Sequence, residues 1–261
     1  MKKRSFLNFD RPPLVDMIIE ERAVDIESHI RTGMSDGADA FGIHMEWLKP
    51  EFRNEQTLKG LFSYLAGKPL YLTDYRSGLN EGGRLTDEQR IEELKMAVGC
   101  GATLIDLTAD MFAPDPFEFT KDPTAVDRQR KAIDEFHALG AEVLMSSHIM
   151  QYRSAEEVLE IALEQQRRGA DIAKIVTYSG SEEELFANFD TTRLLKRELK
   201  IPFLFLTNGP YCKLHRTLGP YWGVCMWLCV DAYTEHSSRL QPLLRSLVSV
   251  VRNFDANPNL I

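Results

Sequence analysis

Lys174 lies inside Asp171-Ile-Ala-Lys-Ile-Val-Thr177, a run with the β-branched character of a buried strand. An unpaired ammonium there is costly. Burial disfavours the charged form and leaves a neutral amine that can add to a carbonyl and form a Schiff base. Two ordinary readings compete with this one: a lysine at a strand end reaching back to water, and a lysine paired with a buried carboxylate. His148 closes the preceding apolar run, in Met145-Ser-Ser-His148. A lone histidine is more often structural than catalytic, but consecutive strands place His148 and Lys174 where both can face one cavity. His44 and Glu46 sit two residues apart, so both can lie on one side of a strand, with core packing the commoner fate of such a histidine. Glu46 and Asp106 each suit assistance to a base, and equally a salt bridge that holds a loop. Arg76, Arg84, Lys213 and Arg216 are cations able to anchor a carboxylate, arginine by its two-pronged donor geometry. His, Asp and Glu form no cluster with metal-ligand spacing, and no phosphate-binding glycine loop follows the first strand, so the chemistry is expected to rest on side chains without cofactor or metal.

The elements that position these residues alternate along the whole chain. Strands are expected at 14–20, 40–47, 69–75, 103–108, 142–147, 171–178, 202–207 and 223–229. Helices are expected near 24–36, 54–66, 86–100, 123–139, 154–169, 183–199, after 211, and near 237–252. Thr86 with Gln89, and Ser154 with Glu157, have capping-box spacing, and Gly140 and Gly169 stand where left-handed helix ends belong. Eight strand–helix units without a Pro-, Gly- or Ser-rich linker favour one α/β domain spanning 1–261, a parallel (β/α)8 TIM barrel of the class I aldolase kind rather than an open doubly wound sheet. In such a barrel the active site lies at the C-terminal ends of the strands, where His44, Glu46, Arg76, His148, Lys174 and Arg216 all fall.

Composition narrows the functions. The chain has 261 residues, 44% of them hydrophobic, enough for an extensive core. Net charge is −8 with no basic face, which argues against nucleic acid as a partner. No apolar stretch follows the basic Met-Lys-Lys-Arg opening, and no run of about 18 apolar residues occurs, so a cytoplasmic protein that does not enter a membrane is expected. Cys100, Cys212, Cys225 and Cys229 lack paired metal spacing and read as reduced thiols, Cys225 and Cys229 in an apolar segment.

Taken together, "MSSHIM", "SAEEV" and "GADIAKI" between residues 143 and 176, Glu46-Trp47, Glu81-Gly82-Gly83, Ile105-Asp106-Leu107, and the stretch 209–219 with Arg216 resemble the type I 3-dehydroquinate dehydratase family. The resemblance implies a lyase of the shikimate or quinate pathways. Lys174 would condense with the ketone of 3-dehydroquinate, or of a related cyclic hydroxy-ketone carboxylate. His148 would remove the neighbouring proton, deliver one to the departing hydroxyl, and assist imine formation and hydrolysis. Arg216 would hold the carboxylate; Glu46, Arg76 and Glu81 would complete the substrate shell. A homodimer is also implied.

The departures cluster around the substrate. Leu48 stands where the family has arginine after Glu-Trp. The Arg76–Glu81 loop is one residue longer. Thr108 replaces the glutamate expected to orient the histidine, and Ile149 follows the histidine where aspartate is common. The Ser-Ala-Pro-Gly-Gln lid signature is not recognisable in Tyr233-Thr-Glu-His-Ser-Ser-Arg-Leu240. Each lost charge-assisted contact is worth about 1.5–3 kcal/mol, enough to alter substrate preference. Two alternatives therefore stay open: a class I aldolase or isomerase on the same barrel, and a non-catalytic homologue that binds a metabolite.

Overall fold

In the computed structural model, which describes residues 5–254, strands and α-helices alternate. They are β1 (Leu14–Ile18), α1 (Ala23–Asp36), β2 (Ala40–His44), α2 (Glu55–Ser63), β3 (Leu70–Thr73), α3 (Asp87–Cys100), β4 (Leu104–Thr108), α4 (Pro123–Ala138), β5 (Glu142–His148), α5 (Ala155–Arg168), β6 (Ile172–Tyr178), α6 (Glu182–Glu198), β7 (Phe203–Asn208), α7 (Cys212–Trp222), β8 (Trp227–Cys229) and α8 (Leu244–Asn253). The sheet order is β7-β6-β5-β4-β3-β2-β1-β8, and every ladder in it is parallel. The two ends meet where Cys225 N–H donates to Phe203 O at 2.9 Å, which brings the curled sheet round into a (β/α)8 barrel.

Local chemistry sets the boundaries. Thr86 and Ser154 form capping boxes with Gln89 and Glu157, satisfying amides that the first turns of α3 and α5 leave unpaired. Gly169 ends α5 at φ 103°, a conformation costly for a residue with a Cβ. Two expectations shorten. Residues 223–226 finish α7 and reach β7, through Val224 N–H to Gly219 O and Cys225 N–H to Phe203 O, so β8 is only three residues long. The last helix begins at Leu244 rather than near 237, because Pro242 cannot donate and residues 234–241 are tied up in turns of their own.

Alternation divides the strand residues between two environments. Leu14, Ile18, Phe41, Ile43, Ile105, Leu107, Val143 and Met145 pack outward on the helices. Register places the inward set side by side: Met17 beside Gly42, Gly42 beside Tyr71, His44 beside Thr73, Thr108 beside Ser146, and Ser146 beside Lys174. Gly42 leaves room at the narrow end, since a Cβ there would lie 2.1 Å from Met17 Sδ. Phe6 packs edge-on against Tyr71 from below at 6.5 Å, and its N–H donates to Glu142 at 2.9 Å. Hydrocarbon fills the floor, and polar side chains gather towards the C-terminal end.

Candidate active site

Lys174 projects inward from the middle of β6 and is 4% exposed. Its Nζ donates to Asp106 Oδ2 at 3.0 Å, to Tyr75 Oη at 2.7 Å and to Tyr71 Oη at 3.0 Å. Of the three sequence readings, the buried carboxylate partner is the one present: Lys174 Nζ lies against Asp106. Asp106 also accepts from Ser146 Oγ at 2.5 Å, from Tyr75 at 2.5 Å and from Tyr71. Burial pushes its carboxyl up, but the Lys174 and His148 charges and these hydroxyls outweigh burial and hold it below the ordinary value. Asp106 thus ties down no loop; it is a fixed negative charge beside the amine and within electrostatic reach of His148.

One strand away, register sets His148 one inward position nearer the mouth than Ser146, the neighbour of Lys174. The Tyr75 ring stands edge-on to His148, 5.0 Å between centroids, and bridges the imidazole to the Lys174 cluster. Nδ1 of His148 lies 2.7 Å from Glu118 Oε2, which also accepts the His148 backbone N–H at 3.0 Å, while Ser147 Oγ donates to Glu118 O at 2.9 Å. Burial raises the Glu118 carboxyl and His148 more than offsets it, so Glu118 is held below its ordinary value. A carboxylate on Nδ1 keeps a proton there and leaves Nε2 with its lone pair free to act as base. The loop carrying Glu118 is clamped by Arg168, 3% exposed, which donates to Ala109 O at 2.8 Å and Thr120 O at 2.7 Å.

A second imidazole–carboxylate pair faces this one across the barrel. His44 ends β2 with Nδ1 2.7 Å from Glu46 Oε1, and Thr73 Oγ1 donates to Glu46 Oε2 at 2.9 Å. Glu46 is 1% exposed, and its carboxyl is lowered because His44 and Thr73 outweigh burial. His44 Nε2 is buried without a partner among the described residues, and its ring stands 6.2 Å from Tyr75.

The expected cations differ in fate. Arg216 on α7 is buried, donating to Thr207 O at 2.9 Å and Asn208 Oδ1 at 3.0 Å, and burial pushes its guanidinium down to about 10. No carboxylate lies within ion-pair distance of it among the described residues, although buried guanidinium groups are ordinarily paired. Arg76, by contrast, is locked between Asp87 (2.6 Å) and Asp110 (2.8 Å) and ties the loop after β3 to the loop after β4. Asp87, shared with Arg90, is lowered to about 2: burial opposes this, and Arg76 and Arg90 prevail. Glu81 is exposed on the loop after β3, with no described bond to its carboxylate. Arg84 is exposed there too, and Lys213 donates to Tyr233 at 3.0 Å. In the segment after β8, His236 packs on Trp47 at 4.7 Å and Arg239 lies 5.5 Å over Tyr233. No group of three His, Cys, Asp or Glu among the described residues could hold a metal ion.

The structure therefore brings Lys174, Asp106, His148, His44 and Glu46 to one mouth, ties Arg76 to the surrounding loops and leaves Glu81 exposed on the loop after β3. Sequence reasoning missed Tyr71, Tyr75 and Glu118. The tyrosines carried a signal, since Tyr71, Thr73 and Tyr75 alternate along one strand and put polar tips on its inward side. Glu118 carried none.

A sequence model of the type I 3-dehydroquinase family matches residues 17–252. No curated protein sequence matches significantly. Among solved structures, the type I 3-dehydroquinate dehydratase of Clostridium difficile, crystallised with covalently modified comenic acid, superposes with a TM-score of 0.79 at 18% identity, covering 98% of this chain and 96% of that one. The 3-dehydroquinate dehydratase of Geobacillus kaustophilus HTA426 gives 0.77 at 16% identity, covering 96% and 95%. That of Enterococcus faecalis gives 0.73 at 19%, covering 96% and 97%.

Proposed function

The chain belongs to the type I 3-dehydroquinase family and is a hydro-lyase of that Schiff-base kind, and we propose that Lys174 and His148 carry its chemistry on 3-dehydroquinate or a closely related cyclic hydroxy-ketone carboxylate. The observation that carries the assignment is an amine with its own fixed counter-ion, next to an imidazole whose Nδ1 is held by Glu118.

Lys174 Nζ bonds to the ketone carbon, and the oxygen leaves as water. The resulting iminium keeps the positive charge that the ammonium had, so Asp106 balances it without moving. The iminium draws electrons from the adjacent C–H bond, and His148 Nε2 takes that proton. The same imidazole returns a proton to the hydroxyl on the β-carbon, which departs as water and leaves a double bond conjugated to C=N. Hydrolysis then frees the enone and restores Lys174. Arg216, a buried cation without a carboxylate, suits the carboxylate of the substrate. Glu46 has both oxygens engaged, so it acts by holding His44, whose free Nε2 suits a ring hydroxyl. Arg76, committed to Asp87 and Asp110, supports the loops instead of touching substrate, and Glu81 is free to close on it from the rim.

A cytoplasmic homodimer working in either pathway direction belongs to the same proposal, supported by the family resemblance; sedimentation tests the assembly. No described helix is long and apolar enough to cross a membrane. The reaction is tested by incubating the protein with 3-dehydroquinate and following the ultraviolet absorbance of the enone. Wild type produces it and Lys174→Ala does not; two carbonyl fragments instead of an enone would show retro-aldol cleavage.

A further inference from the structure

Three acceptors take the three protons of the Lys174 ammonium: Asp106 Oδ2 at 3.0 Å, Tyr71 Oη at 3.0 Å and Tyr75 Oη at 2.7 Å. No ketone can approach Nζ until one of them yields. Asp106 and Tyr71 are fixed from below, Asp106 by Ser146 and Tyr71 by its packing on Phe6, and they are 2% and 0% exposed. Tyr75 lies beyond the end of β3 and is partly exposed at the mouth, between the rings of His44 and His148. It is the acceptor that can shift at the mouth to admit a ketone while its hydroxyl stays within reach of Nζ.

The stoichiometry of imine formation says what that hydroxyl then has to do. Lys-NH3⁺ and a ketone become Lys-NH⁺=C and water, so two protons leave Nζ and both end on the departing oxygen. Direct transfer between atoms joined through one carbon is badly strained; a hydroxyl that accepts from one atom while donating to the other removes the strain. Tyr75 already accepts from Nζ and donates, at 2.5 Å, to Asp106.

We propose that Tyr75 is a further catalytic residue, whose hydroxyl relays both protons from Lys174 Nζ to the ketone oxygen; the proposal rests on the Schiff-base reading above. As the first proton passes, the freed nitrogen lone pair forms the N–C bond and the C=O π bond opens, giving a carbinolamine with NH2⁺ and OH. As the second passes, the C–O bond breaks, water leaves with the bonding pair, and the remaining nitrogen lone pair closes C=N⁺. The total charge stays at plus one, opposite Asp106 throughout, and nothing is oxidised or reduced. Burial beside the Asp106 charge keeps the Tyr75 phenol well above its ordinary titration range. The relay needs no phenolate, because each proton accepted is matched by one donated.

The test separates imine formation from the later chemistry. In a His148→Gln background, where the reaction stops at the iminium, 3-dehydroquinate is added and aliquots are quenched with borohydride, the Lys174 adduct being followed by mass. General acid–base groups contribute about 10²–10⁴-fold, and water entering the vacated space recovers part of that. Adding Tyr75→Phe is therefore expected to slow adduct formation at least tenfold while the final extent stays the same. Equal rates would overturn the relay. Absence of any adduct in wild type and His148→Gln alike would instead overturn the Schiff-base reading beneath it. If Tyr75→Phe does not fold, fluorotyrosine at position 75 keeps size and changes acidity: a rate changed more than threefold supports the relay, and an unchanged rate refutes it.

Discussion

Replacing Asp106 by asparagine keeps its shape and removes the charge opposite Lys174. The lysine is 4% exposed, so water cannot take the place of that charge, and only the neutral hydroxyls of Tyr71 and Tyr75 remain around the ammonium. Removing one partner of a buried pair costs about 3–5 kcal/mol, because the other charge is left uncompensated. At about 2–4 °C per kcal/mol for a chain of this size, the melting temperature should fall by about 6–20 °C near neutral pH. Adding Lys174→Met removes the stranded charge, and exchange of a whole buried pair for uncharged groups is often neutral, so the double variant should recover most of the loss. The coupling between the two sites should exceed about 2 kcal/mol. The pH dependence has a definite sign. The folded-state carboxyl of Asp106 lies below its unfolded value of 3.8, so its contribution is present above that value and is lost as pH falls through the folded one. Wild type and Asp106→Asn should therefore converge under strongly acidic conditions. Thermal melts of the four proteins followed by circular dichroism measure all of this. A single variant within about 1 kcal/mol of wild type at neutral pH, or strictly additive effects, would mean that Asp106 does not balance a buried charge on Lys174.

Glu118→Gln should lower kcat about 10²-fold with KM changed less than about threefold, since the amide no longer enforces the His148 tautomer; steady-state kinetics with 3-dehydroquinate decide it. Arg216→Gln should raise KM by about 10²-fold or more without lowering the melting temperature, because the guanidinium it removes is buried with no carboxylate partner among the described residues; a lower melting temperature with unchanged KM would make Arg216 structural. Asp16, on β1, is buried against α1 with neither oxygen hydrogen-bonded among the described residues, and burial followed by the Asp231 charge raises it to about 8. Its folded value exceeds the unfolded 3.8, so wild type is relatively most stable below that and loses stability as pH rises from about 4 to about 8. Denaturant titrations of Asp16→Asn should show an advantage over wild type that grows through this range and then levels off; a flat difference contradicts it.

Much of the barrel was legible because its signals are local. Runs such as 171–178 have the β-branched, largely apolar character of a buried strand, and Ser154 with Glu157 announces the start of α5 in four residues. Lys174 and His148 were legible for a related reason, polar side chains on apolar strands that follow one another. Other features depend on tertiary partners. Arg76 looked like a substrate ligand until Asp87 and Asp110 closed on it from elements 11 and 34 residues away. Glu118 reaches His148 from a loop 30 residues earlier, at φ 48°, and no periodicity leads to it. Thr108 made the histidine look unsupported, yet Glu118 supplies the carboxylate from another position, which removes the main reason to expect a binding protein without catalysis. The short β8 was hidden because residues 223–226 are as apolar as a strand while they serve to end α7 and join β7.

On the proposed mechanism, Lys174 itself becomes covalently joined to the ketone carbon. Wild-type protein treated with 3-dehydroquinate and borohydride, then digested and analysed by mass spectrometry, should carry the reduced substrate-derived adduct on the peptide containing Lys174. An adduct on another lysine, or catalytic turnover in Lys174→Ala at the wild-type rate, would contradict it.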